Sequence, residues 1–262
     1  KTLGANIEVA NVTTVTRGTL DTNSTGNYNL TTGSIVLANS SSAGLTVRAG
    51  STLTLTATSG TLFTKNTNAV TSFIAGSTVR VTSDGDVTFL SGATSFRNVV
   101  FAPTLTGVNR TYTIGSTPTV NASTMTINPS GSGTLTVALN ATTNFGALAA
   151  LVVQATGEAS AKFDTTSSNY AMTMGTLSLG SGGEFRANAS AITMIGSSTF
   201  LSLTGSGVFT RGTSTITISS ASSVNLNTAG FTGSNKLYNL TLTNVGTRTL
   251  RSEERRVGKE CL

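Results

Sequence analysis

Short segments of this chain alternate between apolar and polar residues. Thr52-Leu53-Thr54-Leu55-Thr56 does so, as do Ser77-Thr78-Val79-Arg80-Val81-Thr82, Ser123-Thr124-Met125-Thr126-Ile127, Gly133-Thr134-Leu135-Thr136-Val137, Ser214-Thr215-Ile216-Thr217-Ile218 and Asn239-Leu240-Thr241-Leu242-Thr243. Successive side chains of a β-strand leave on opposite faces, so each run sends its Leu, Val, Ile or Met to one side and its Thr to the other. The β-branched content suits strands and disfavours helices. Breaks fall at small polar clusters such as Thr58-Ser59-Gly60, Ser83-Asp84-Gly85 and Gly180-Ser181-Gly182-Gly183. One stretch, residues 146–153, invites a helix; it is read as a strand too, because Val152-Val153 closes it and no capping residue opens it.

The alternating units recur. Ala49-Gly50-Ser51-Thr52-Leu53-Thr54-Leu55 returns as Ala75-Gly76-Ser77-Thr78-Val79-Arg80-Val81, a shift of 26. Downstream, Ser59-Gly60-Thr61-Leu62-Phe63 lies beside Asp84-Gly85-Asp86-Val87-Thr88-Phe89 with a one-residue slip. Further copies are Gly196-Ser197-Ser198-Thr199-Phe200-Leu201-Ser202-Leu203, and Gly175-Thr176-Leu177-Ser178-Leu179 leading to Gly183-Glu184-Phe185. Phenylalanines mark the beat at Phe163, Phe185, Phe209 and Phe231, with shifts of 22, 24 and 22. A beat of about 22–26 residues holds two or three short strands with their turns. That is one coil of a parallel β-helix, or β-solenoid, in which each strand pairs with its copies above and below. The all-β chain is therefore expected to form about eleven coils over residues 31–250, after an irregular lead-in or partial coil over 1–30. Like residues should stack in a narrow interior, with the Phe series as a core ladder. A longer echo pairs Phe96-Arg97-Asn98-Val99-Val100-Phe101 with Leu237-Tyr238-Asn239-Leu240-Thr241-Leu242, a shift of 141 that suggests a repeat of several coils.

Composition changes the picture at the C-terminus. Of 26 charged residues, seven fall in the last twelve, which also hold the lone cysteine, Cys261. Residues 251–261 resemble a sequencing-library adapter translated in frame, so 251–262 are expected to be a non-native, disordered tail outside the fold. The chain opens at Lys1 without an initiator Met, and an internal piece of a longer protein is expected. Cut ends would expose strand edges and promote aggregation. Residues 1–250 carry twelve basic and seven acidic side chains, a net +5 with no basic cluster or base-reading motif, so no nucleic-acid partner is expected. They contain no Cys, His or Trp, which removes disulfides, thiolate metal sites and the commonest general base. There is no run of about 18 apolar residues, so no membrane insertion is expected in this segment.

Strings such as Tyr238-Asn239-Leu240-Thr241-Leu242-Thr243-Asn244, set among Gly-Ser-x-Leu-x-Leu units, resemble the β-strand-repeat surface proteins of bacteria. These are similar to filamentous haemagglutinin and autotransporter passenger domains. The resemblance covers most of residues 30–250 and is one of style. It implies export to the cell surface or extracellular space, a right-handed parallel β-helix, and a stalk or adhesin role. It carries no catalytic motif.

Three functions compete. An enzyme on such a rod would need grouped carboxylates, as in polysaccharide lyases and glycosidases. The candidates are Glu8, Asp21, Asp84, Asp86, Glu158, Asp164 and Glu184, and only Asp84 and Asp86 are close, with Gly85 between them reading as a turn. An ice-binding or flat-lattice-binding face would need at least four of the pairs Thr52/Thr54, Thr111/Thr113, Thr124/Thr126, Thr134/Thr136, Thr215/Thr217 and Thr241/Thr243 on one side of the rod. An adhesin or stalk needs only repeats and a polar exterior. Nine Asn-x-Ser/Thr sites, including Asn11, Asn23, Asn29, Asn39, Asn109 and Asn239, are the number that so much Ser and Thr produces by chance. The expectation is a non-catalytic structural repeat segment of an exported surface fibre or adhesin. No catalytic, cofactor-binding or metal-ligating residue is assigned and no cofactor is expected. Its partners would be host or environmental glycans or other surface proteins.

Overall fold

A computed structural model describes residues 1–23, 25–92, 94–115, 123–140, 143–144, 150–196, 199–220, 224–227, 233–243 and 248–251. The alternating segments pile up in parallel on three faces of a solenoid. The first face carries the front half of Ile7–Val15, the front half of Leu30–Leu37, then Thr52–Leu55, Thr78–Val81, Asn98–Phe101, Thr124–Ile127, Ala150–Val153, Thr176–Leu179 and Leu201–Leu203. The second face takes the rear halves of the first two strands and continues through Thr61–Lys65, Val87–Ser91, Arg110–Ile114, Ser130–Leu139, Glu158–Asp164, Gly183–Arg186 and Val208–Thr210. The third face has two stretches, Gly18–Asp21, Ala43–Val47 and Val70–Phe73, and later Thr143–Asn144, Met172–Met174, Ala191–Met194, Thr215–Ser219 and Asn239–Thr243.

Register on the first face follows the alternation. Leu30, Leu53, Val79, Val99, Met125, Leu151, Leu177 and Leu201 form one inward row, each opposite the next and each buried. Two residues on, Leu55, Val81, Phe101, Ile127, Val153 and Leu179 form a second buried row. Burying a side chain of this size contributes roughly 1.5–3 kcal/mol, so the two rows supply much of the drive to stack. The outward positions between them hold Thr54, Arg80, Val100, Thr126, Val152 and Ser178.

Among the described residues nine strands on the first face bound about eight turns, not eleven. Dividing chain length by the mean beat overcounts, because the first-face ladder runs from Ile7 to Leu203 and the later strands Val224–Asn227 and Arg248–Arg251 pair as a separate sheet. Its steps are also uneven, shorter from Val79 to Val99 than from Leu53 to Val79. Eight strand spacings make a rod of about 40 Å. Turns are labelled here by their first-face strand, turn 1 at Ile7 to turn 9 at Leu201, so that eight full turns separate the first label from the last. Turn 1 is already built from strands, Ile7–Val15 and Gly18–Asp21, and Ala150–Val153 is a strand as the alternation implies.

Other register expectations are corrected. Phe63 pairs with Leu90 rather than Phe89, because the second-face slip runs the other way. The longer echo joins unlike places: Asn98–Phe101 lies on the first face and Asn239–Thr243 on the third. A short alternating run after Asn fits any face, so its recurrence marks no larger repeat. Phe231 and the tail from Ser252 onward lie outside the described residues.

Asparagines close the corners. The Asn6 side-chain oxygen accepts from Asn29 N at 2.8 Å, and the Asn29 oxygen accepts from Thr52 N at 2.8 Å, so one amide links each turn to the next. Asn39 accepts from Asn68 N and Asn109 from Thr134 N. Asn29, Asn39 and Asn109, all in Asn-x-Ser/Thr sites, thus serve stacking. Glycines appear where neighbouring turns close in: a Cβ on Gly85 would lie 1.8 Å from the Thr58 carbonyl oxygen. At the outermost strands the apolar rows open to solvent, with Ile7 40% exposed and Leu240 and Leu242 40% and 47% exposed.

Candidate functional site

The Phe beat also carries charge. Lys162-Phe163-Asp164 in turn 7 lies under Glu184-Phe185-Arg186 in turn 8, residue for residue. The strand pleat sends both Phe inward and the four charged residues outward. Phe163, Phe185 and Phe209 stack with ring centroids 5.5 and 5.7 Å apart and interplanar angles of 5° and 1°. Above them, opposite charges face each other across the turns. Lys162 Nζ is 3.2 Å from Glu184 Oε2, and Arg186 Nη1 is 3.6 Å from Asp164 Oδ2. Along turn 8 itself, Arg186 Nη2 lies 3.4 Å from Glu184 Oε1.

Neighbours complete the network. Thr210 of turn 9 donates its hydroxyl to Glu184 Oε1 at 2.7 Å. Asp164 Oδ1 accepts from Thr166 N at 2.7 Å and from Asn188 Nδ2 at 2.8 Å. Partial burial opposes the Glu184 charge, but the Thr210 hydroxyl, Lys162 and Arg186 outweigh it and hold the carboxyl below the ordinary glutamate value. A carboxylate that stays ionised with its oxygens occupied is poorly suited to act as a general acid, which needs a raised pKa. Beside the ladder runs a shallow groove of about 280 Å³ lined by Thr134, Ser160, Lys162, Gly182, Glu184 and Ser206. It presents hydroxyls beside a paired ammonium and carboxylate.

Three more of the carboxylates weighed from the sequence go to similar work, whereas Glu8 and Glu158 lie exposed on the strands Ile7–Val15 and Glu158–Asp164. Asp84 pairs with Arg110 of the next turn, Nε to Oδ1 at 3.2 Å, and Asp86 accepts from Thr111 N at 2.6 Å. Residues 84 and 85 form a bend, in keeping with the turn reading. Asp21 takes a two-pronged contact from Arg48 of turn 2, with Nε 2.9 Å from Oδ1 and Nη2 2.5 Å from Oδ2. That hydrogen-bonded guanidinium lowers the Asp21 pKa. Among the described residues no three Asp, Glu, Cys or His side chains cluster as a metal site.

The Thr-x-Thr pairs divide two to a face. Thr52/Thr54 and Thr124/Thr126 lie on the first face, separated by Thr78/Arg80 and Asn98/Val100. Thr111/Thr113 faces Thr136/Ala138 on the second, and Thr215/Thr217 faces Asn239/Thr241 on the third. The rank of four pairs that a lattice-binding face requires is not formed. Thr173, Thr193, Thr217 and Thr241 do make a single in-register file on the third face.

The charged ladder was missed as a site in the sequence, although its signal was present. The same phenylalanine spacing that marks the beat superposes Lys-x-Asp on Glu-x-Arg, with each charge reversed. No protein-family model matches this chain, and neither a curated protein nor a solved structure is found similar to it.

Proposed function

We propose that this chain is a non-catalytic structural repeat segment of an exported bacterial surface fibre or adhesin. The single observation that carries the reading is the use of five of the seven acidic side chains in residues 1–250. Asp21, Asp84, Asp164 and Glu184 each bind a cation of an adjacent turn, and Asp86 binds its backbone. Scarce charge is placed where it holds turns together, as a load-carrying stalk requires. The polar, mostly uncharged exterior of Thr, Ser and Asn suits a surface that meets glycans or neighbouring surface proteins through many weak polar contacts.

The test is to screen the purified rod against a glycan panel and a set of bacterial and plant polysaccharides, scoring both binding and cleavage. Retention without turnover is the expected result. Polysaccharide cleavage that disappears in Asp84→Asn or Asp86→Asn would overturn the proposal in favour of a β-helix enzyme.

A further inference from the structure

We infer that the Lys162-Phe163-Asp164 and Glu184-Phe185-Arg186 pair is a register key, which selects one of several otherwise similar ways of stacking turn 8 on turn 7. The need for a key follows from the alternation. A one-residue slip turns every side chain to the wrong face, but a two-residue slip keeps apolar on apolar. On the first face of these turns, Ala150-Leu151-Val152-Val153 lies under Thr176-Leu177-Ser178-Leu179. Sliding one strand by two residues sets Leu177 on Val153 or Leu179 on Leu151, and the apolar rows of the first face scarcely distinguish these from the native pairing.

Connection length does not decide the register either. Between its second-face and third-face strands, turn 7 spends residues 165–171, whereas turn 8 spends only 187–190. The chain length from one turn to its partner accordingly shrinks along the coil, from Leu151/Leu177 to Phe163/Phe185 and again to Met172/Ile192. Unequal connections leave the second-face contacts to set the alignment.

There the two slips are both penalised. Moving turn 8 one way puts Arg186 opposite Lys162; moving it the other way puts Glu184 opposite Asp164. Either slip breaks two opposite-charge pairs and creates a like-charge pair. It also carries Phe185 off Phe163, onto Ala161 or Thr165, and breaks the ring stack. Opposite charges directly across two strands stabilise the pairing, and like charges there destabilise it by a similar amount. The charge pattern alone therefore favours the native register by about tenfold. The other ion pairs also join successive turns, Asp21 to Arg48 between turns 1 and 2 and Asp84 to Arg110 between turns 4 and 5.

Cysteine trapping tests the key in a Cys261→Ser background. Thr173 and Thr193 are native third-face partners of turns 7 and 8. Thr173→Cys with Thr193→Cys reports the native register, while Thr173→Cys with Ala191→Cys or Ile195→Cys reports the two slips. Exchanging charge within turn 8 alone, by Glu184→Arg with Arg186→Glu, should lower the native crosslink and raise a slipped one by about tenfold. Exchanging it in both turns, by adding Lys162→Asp and Asp164→Lys, should restore the native crosslink. A turn 8 variant that crosslinks as the parent does overturns the inference. If that variant does not fold, failure of the double exchange to rescue the native crosslink also overturns it, and rescue supports it.

Discussion

Turns 3 to 5 and turns 7 to 9 fill the same interior with aromatic rings in opposite ways. In the earlier region the rings come from different faces. Phe63 and Phe89 enter from the second face, Phe73 from the third and Phe101 from the first, with Phe96 at their centre. They meet at angles from 41° to 88°, with Phe63 and Phe96 at 88° and 5.3 Å and Phe89 and Phe101 at 86° and 5.1 Å. In the later region three rings occupy one register position and lie parallel. Edge-to-face and offset stacked geometries are both favourable, so neither region is a defective version of the other. The difference lies in what each interaction specifies. A stack rewards exact repetition from turn to turn. A mixed cluster rewards the joining of three faces within a turn, and it tolerates the short step between Val79 and Val99 that interrupts the beat.

Breaking the cluster should cost most. Phe96 is fully buried and touches Phe63, Phe73 and Phe89. Phe96→Ala is expected to destabilise the rod by about 4–5 kcal/mol in urea denaturation. Phe185 has two ring neighbours, and Phe185→Ala should cost about 3–4 kcal/mol. An equal or larger loss at Phe185 would show that the cluster gains nothing from its extra neighbour.

A finer contrast uses Tyr112, which edges onto Phe101 and donates its buried hydroxyl to the Ser83 carbonyl. Burial raises the Tyr112 pKa well above the ordinary tyrosine value, with the Ser83 contact opposing it, so the phenol remains a donor at neutral pH. Tyr112→Phe keeps the ring contact and removes the hydrogen bond, for an expected loss of about 1–2 kcal/mol. No loss would mean that the ring contributes packing alone.

The smallest effect belongs to the charged exterior of the stacked region. The folded-state pKa of Glu184 is depressed, so its contribution to stability is present above the unfolded value and is lost as pH falls through the folded one. The melting temperature of the parent should exceed that of Glu184→Gln at neutral pH by an amount worth less than about 1 kcal/mol, since the pair is partly solvated. As pH falls below the ordinary glutamate value of 4.5 the gap should begin to close, and the two curves should meet once pH is below the depressed folded value. A gap that persists into acid would assign the effect to packing rather than charge.

Most of the architecture was legible because pleat and repetition are local. Leu53 and Leu55 had to share a face, and a second copy of the same motif had to lie beside the first. The same reasoning aligned Phe163, Phe185 and Phe209. It failed at Phe63, where the apparent match to Phe89 conceals a pairing with Leu90, and at Asn239, whose likeness to Asn98 crosses from one face to another. The charged ladder lay between the two outcomes: its residues sat on the aligned beat, but their reversed signs gain meaning only when the strands are superposed.

The amino-acid order by itself determined strands, turns and the coiled class, since a two-residue period leaves little else for the chain to become. Tertiary structure alone decided the number of turns, the face on which each segment lies and the partner of each charge. Those depend on pairings between segments far apart in the chain, and a row of alternating Thr and Leu looks the same after every slip of two.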